Sequence, residues 1–255
     1  MEFLQSTFEE IVETERLLVL TASERYGDYY GHARECSIFV SRSVTAVDHD
    51  RTMFGRFFSL MKKHHMLALL SIVRLHKVQA MMSLRQVLEA GASAAFAIAN
   101  PELHHFADTD EHGLLDPSQA LTKKRYQWLD QNYSQKSEWI KAKKDQINLS
   151  TAHANIVSSG STFRVAETGD TINTPFFDVE DDYTVKSDLW QTGSIALTLV
   201  DFFYGVNQGR NAIEFCPGFT RHVERLARNN EALINELKST DRFKQALQRF
   251  GSSGT

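Results

Sequence analysis

Only two cysteines occur in the 255 residues, Cys36 and Cys216, with no CxxC pair and no Cys/His ligand spacing. That excludes a disulfide framework and a zinc ribbon, and leaves two thiols expected to pack as small hydrophobes. Proline is equally sparse, four residues with the first at Pro101, so nothing of that kind interrupts helices in the opening hundred positions. Long hydrophobic runs are missing too. The charge-free stretches 66–73 and 193–200 fall well short of the roughly 18 residues that cross a bilayer, so no membrane partner is expected. Met1-Glu2-Phe3, followed by Glu9 and Glu10, lacks the basic region and apolar core of a secretory signal, which points to the cytoplasm. Neither charge dominates: 28 Lys and Arg against 32 Asp and Glu give a net charge of -4, and no large basic field surrounds the chain. GxGxxG, a Walker loop, a nucleophile elbow and HExxH are all lacking, which removes the usual dinucleotide, P-loop, hydrolase and zincin readings.

What is present is helical periodicity. Leu4, Phe8, Ile11, Val12 and Leu18 recur at three- and four-residue steps, as do Tyr26, Tyr29, Tyr30, Ala33, Cys36 and Val40. A longer helical stretch covers 48–99, with Lys62-Lys63-His64-His65 as the expected break and Asn100-Pro101 as its end. Its second part, 78–99, is apolar almost all round and rich in small residues from Ala90 to Ala95, the composition of a helix enclosed by others. After an acidic loop at 102–117, one charged helix is predicted over 118–146. Turn residues between apolar runs predict a β-hairpin near 161–177. Two further helices, at about 187–209 and 218–250, close the chain. The expected architecture is therefore mainly α, six to eight helices around the central helix 78–99, forming one domain over 1–250 with a hairpin insertion and a disordered tail at 251–255.

Arg85 and Glu89 stand four residues apart inside the most apolar helix, so they share a face and can pair. Arg74, eleven residues earlier, would extend that pair into a polar stripe. Such a stripe either fixes helix register as an ion pair or serves as a phosphate site or the electrostatic half of a catalytic centre. His153 lies in Leu149-Ser150-Thr151-Ala152-His153-Ala154-Asn155, where polar neighbours can hold the imidazole in one tautomer for acid/base work, or where it is simply a satisfied structural group. Catalytic roles fall on Arg85, Glu89 and His153, and ligand-binding roles on Arg74, Ser150 and Asn155.

Arg74, then Ser83-Leu84-Arg85-Gln86-Val87-Leu88-Glu89-Ala90, then the segment around His153 after a basic helix, resembles bacterial helical proteins adjacent to the HEPN-like superfamily. Many members of that superfamily are RNases of toxin and antiviral systems. They carry an arginine followed one to two turns later on the same helix by a histidine, and neither Arg85 nor His153 has that companion here. The resemblance spans 66–157 and implies a helical fold in a bacterial defence or toxin system, acting on RNA or binding a phosphate-bearing ligand. The alternative is a non-catalytic interaction or regulatory module with a protein partner or a homodimer.

Glu102 and His105 form a single ExxH without the second copy a di-iron bundle needs, and Gln119 stands where an EF-hand-like run from Asp108 would need glutamate, so neither a metal nor another cofactor is expected. Lys123, Lys124, Arg125, Lys141, Lys143 and Lys144, interleaved with Tyr126, Trp128 and Trp139, offer phosphate contacts and stacking surfaces for RNA, or a merely solvated helix face.

Overall fold

The structure, a computed structural model, describes residues 2–4, 6–116, 118–151, 159–160, 162–165, 169 and 171–245. Strand β1 (Glu2–Leu4) leads into α1 (Phe8–Leu20), opened by a capping box in which Thr7 and Glu10 exchange side-chain and backbone hydrogen bonds. Next come α2 (Ala22–Arg42), β2 (Val44–Val47), α3 (Thr52–Val73) and α4 (Lys77–Ala99). A 3-10 turn (Leu103–His105) and the two-residue strands β3 (Asp108–Thr109) and β4 (Leu115–Asp116) precede α5 (Gln119–Asn132) and α6 (Ser134–Thr151). Strands β5 (Arg164–Val165) and β6 (Thr171–Asn173), helix α7 (Asp182–Asn207), β7 (Ile213–Phe215) and α8 (Phe219–Ser239) complete the order. The fold is mainly α.

Helix α4 is the buried centre. Thirteen of its residues are buried, among them Ala90, Gly91, Ala92, Ala94 and Ala95, and α3, α5, α6 and α7 pack on it. A Cβ at Gly91 would sit 2.7 Å from both Cδ atoms of Leu199 on α7, so the close approach of α4 and α7 requires glycine there. The expected hairpin is present as the antiparallel pair β5–β6, and β1 adds to β6 in parallel. The antiparallel pair β2–β7, which ties the end of α2 to the start of α8, carried no recognisable sequence signal.

Two expected boundaries are corrected. Lys62-Lys63-His64-His65 does not break the long helix: Lys62 reaches over the Phe58 ring, and His65 is buried with Nδ1 3.3 Å from Ser37 Oγ and Nε2 3.1 Å from the Thr192 carbonyl. The break comes at 74–76, where His76 N donates to Ser71 O at 2.8 Å and Leu75 takes φ 60. This is the left-handed helix ending that glycine usually marks, here occupied by leucine. The single charged helix over 118–146 is likewise two helices. Tyr133 leaves helical geometry (φ -145, ψ 53) and its ring packs 5.5 Å from Trp128 and 5.2 Å from Phe202.

Candidate functional site

On α4, Gln86, Glu89, Ala90 and Ser93 recur at helical spacing on one face. That face forms one wall of a cleft of roughly 260 Å3. Phe57 and Leu60 of α3, Thr122, Arg125 and Tyr126 of α5, and Lys144 of α6 supply the other walls. Arg85 and Glu89 pair as the sequence suggests, with Nε 3.2 Å from Oε1. Each side chain keeps about a third of its surface exposed (32% and 34%), so the pair is not sealed in the core, and Glu89 is the member that lines the cleft. Lys144 makes the second arm, with Nζ 2.9 Å from the same Glu89 oxygen and 3.2 Å from Tyr126 Oη. Arg85 Nη1 donates to Asn148 Oδ1 at 2.7 Å. Four side chains thereby join α4 to α6.

The charges in this network stabilise one another. Burial raises the pKa of Glu89, but hydrogen bonds and charge from Lys144 and Arg85 outweigh it and hold the carboxyl below its ordinary value. Burial works against the Lys144 ammonium, yet Tyr126 and Glu89 outweigh it and lift its pKa.

Arg125 differs. It donates to the His105 carbonyl and to Thr122 Oγ1, lies 5.4 Å from the Phe106 ring centroid, and has no carboxylate within ion-pair distance among the described residues. Burial pulls its pKa down, partly opposed by Tyr126, though a guanidinium stays charged in any case. A half-buried cation facing a cleft beside a lysine, with neutral partners only, is an anion-binding arrangement.

Of the predicted residues, Arg85, Glu89, Arg125 and Lys144 converge. Arg74 does not join them. The turn at Leu75 reverses the chain, and Arg74 instead pairs with Glu15 of α1 at 3.4 Å, so the predicted stripe from Arg74 to Arg85 is not formed. Lys141 is held by Asp130 at 2.6 Å, bracing α5 against α6, while Lys123 and Lys124 are exposed. Ser150 falls in the last turn of α6, and His153 and Asn155 lie outside the described residues. Tyr126, expected as a stacking surface, lines the cleft, whereas Asn148, Gln86, Ser93 and Thr122 are site residues that the sequence reading does not single out. Gln86 and Ser93 share the Glu89 helix face and could have been found from it; the others depend on how α5 and α6 dock.

In the acidic loop, Asp110 Oδ1 accepts from His112 N (2.9 Å) and Leu114 N (2.7 Å), which gives that carboxylate a turn-forming role. Among the described residues no group of three or more His, Cys, Asp and Glu side chains is arranged to hold a metal, and no described helix is long and apolar enough to cross a membrane. Comparison of the chain with protein-family models, curated proteins and solved structures finds no match.

Proposed function

We propose that the protein binds a phosphate-bearing ligand in the α3–α6 cleft, its anionic group lying between Arg125 and Lys144. The observation that carries this reading is Arg125, a half-buried guanidinium at the cleft wall with no carboxylate partner among the described residues. Keeping such a charge from water without a counter-ion is costly, and a bound phosphate offsets that cost through two or more charge-assisted hydrogen bonds. Lys144 is already positioned by Glu89 and Tyr126, so little side-chain freedom is lost on binding. Extension from a bound phosphate to RNA, and to a defence or toxin role, rests on the HEPN-like resemblance alone.

A titration with 5′-AMP tests the reading. Saturable one-to-one binding is expected, weakened about tenfold or more by Arg125→Gln without a change in melting temperature. Absence of saturable binding at millimolar AMP, or equal affinity in Arg125→Gln, refutes it. For RNA, the native protein is incubated with a single-stranded oligoribonucleotide beside Arg85→Ala and His153→Ala. Cleavage lost in both variants supports catalysis, and cleavage persisting in both excludes these two residues from it.

A second reading, a non-catalytic helical module, is favoured by a separate observation. Arg85, Glu89, Lys144 and Asn148 satisfy one another and fix α4 against α6 without needing a ligand.

A further inference from the structure

The α3–α6 cleft holds more than cations. Along its α4 wall, Gln86, Glu89 and Ser93 follow at i, i+3 and i+7, a row about 10 Å long on one helix face. The basic groups give the row a direction. Arg125 belongs to the Ser93 end, because its guanidinium lies 5.4 Å from the Phe106 ring, which packs 5.5 Å from Phe96, three residues beyond Ser93. Lys144 holds the middle through its 2.9 Å contact with Glu89. Gln86 is left at the end away from Arg125.

Each member of the row has unused hydrogen-bonding capacity. A serine inside a helix commonly bonds back to the carbonyl one turn earlier, but Ser93 makes no hydrogen bond among the described residues. Both contacts of Glu89, from Arg85 and Lys144, go to Oε1, and Oε2 takes none among the described residues. The Gln86 carboxamide, with two N–H donors and an acceptor oxygen, makes none there either. The polar atoms of Gln86 and Ser93 keep accessible surface, and both residues line the cleft. Phe57, Leu60 and Ala90 give the row an apolar flank.

We propose, as a step that rests on the phosphate reading above, that the ligand is a ribonucleoside 5′-monophosphate lying along α4. Its phosphate sits between Arg125 and Lys144 and accepts from Ser93 Oγ, its ribose hydroxyls donate to Glu89 Oε2, and an edge of its base meets the Gln86 carboxamide. The order of groups in the ligand is the order of groups along the helix. An anion meets two cations and a hydroxyl, a diol meets a free carboxylate oxygen, and a flat ring with donors and acceptors at its edge meets a free amide beside an apolar flank. Two helical turns also select for size. Inorganic phosphate fills the Arg125 end, ribose 5-phosphate reaches Glu89, and a base is needed to reach Gln86.

Calorimetric titration with inorganic phosphate, ribose 5-phosphate, 5′-AMP and 2′,3′-dideoxyadenosine 5′-monophosphate separates the parts. Affinity should rise from phosphate to ribose 5-phosphate to AMP by about three- to tenfold at each step, the worth of one or two hydrogen bonds. The dideoxy nucleotide should bind more weakly than AMP by a similar factor. Gln86→Ala should bring AMP down to the affinity of ribose 5-phosphate and leave ribose 5-phosphate binding and melting temperature unchanged. In the native protein the Gln86 side-chain amide NMR signals, assigned by their loss in Gln86→Ala, should shift with AMP and stay in place with ribose 5-phosphate. Equal affinity for ribose 5-phosphate and AMP, or equal weakening of both by Gln86→Ala, overturns the nucleotide assignment while the anion cleft stands. Equal affinity for AMP and its dideoxy analogue overturns the placement of ribose at Glu89. Saturable binding of none of the four overturns the phosphate reading itself, and the nucleotide with it.

Discussion

Asp188 offers the sharpest test of the electrostatics of this fold. Its side chain, on α7, is 16% exposed and faces Lys77 Nζ at 3.9 Å, with Glu180 on the other side of the same ammonium at 3.4 Å. Burial pushes the Asp188 carboxyl up to about 7 from an ordinary 3.8; Lys77 opposes the rise and Glu180 adds to it. A folded-state pKa above the unfolded one means that the folded protein holds the proton more tightly. The associated stability is therefore complete below about pH 4 and is lost as the pH rises through about 7. Three pKa units correspond to about 4 kcal/mol, a ceiling that rearrangement of Lys77 around the ionised carboxylate lowers. Asp188→Asn removes the titration while keeping the shape. The variant should match the native protein near pH 4 and exceed it at pH 8, by several degrees in melting temperature if even half the ceiling is realised. Urea unfolding at a series of pH values reads the gap directly. A difference between the two proteins that stays constant from pH 4 to 8 would refute the assignment of a buried, late-titrating carboxyl to this position.

Three further perturbations probe the core and the cleft. Gly91→Ala places a methyl 2.7 Å from the Leu199 side-chain carbons and should destabilise by about 1–3 kcal/mol in chemical denaturation, whereas Gly205→Ala, with open space at its Cβ, should not; equal effects would contradict the close packing of α4 on α7. Glu89→Gln leaves Lys144 and Arg85 without their shared carboxylate, and should cost about 1 kcal/mol, a figure kept low because the pair is a third exposed. Since the native Glu89 pKa is depressed, that cost should be present near neutral pH and fade as the pH falls through the carboxylate range, and a pH-independent loss would point to shape as the cause. Leu75→Gly relieves φ 60 but removes a side chain packed against the buried cluster that includes Ile72, Val73 and Leu189, so a gain in melting temperature would show that backbone strain outweighs packing at that turn, and a loss the reverse.

The sequence alone determined the elements whose causes are local. Small apolar residues running through 78–99 marked α4 as the enclosed helix, because only such side chains let neighbouring backbones approach. Asn100-Pro101 marked its end, since a residue before proline is driven out of the helical region. The four-residue spacing of Arg85 and Glu89 was enough to predict their pairing, as contacts within one helix follow from its pitch. Tertiary structure decided the rest. Leu75 adopts the left-handed conformation without the glycine that would announce it, held there by the α3–α4 turn and the Asp178 N–H bonded to its carbonyl at 2.8 Å. Tyr133 breaks a charged helix in order to place its ring against Phe202 of α7, a partner 69 residues away that no local window contains. The same holds for the candidate site. Arg74 looked like an extension of Arg85 only while the chain between them was taken as straight, and Arg125 and Lys144 stood among a run of basic residues readable as phosphate contacts or as a solvated face, with nothing in the sequence to single out these two until α5 and α6 folded over α4. Pitch and propensity act over a few residues, whereas a cleft is defined by which helix faces meet, and that is fixed by burial summed over the whole chain.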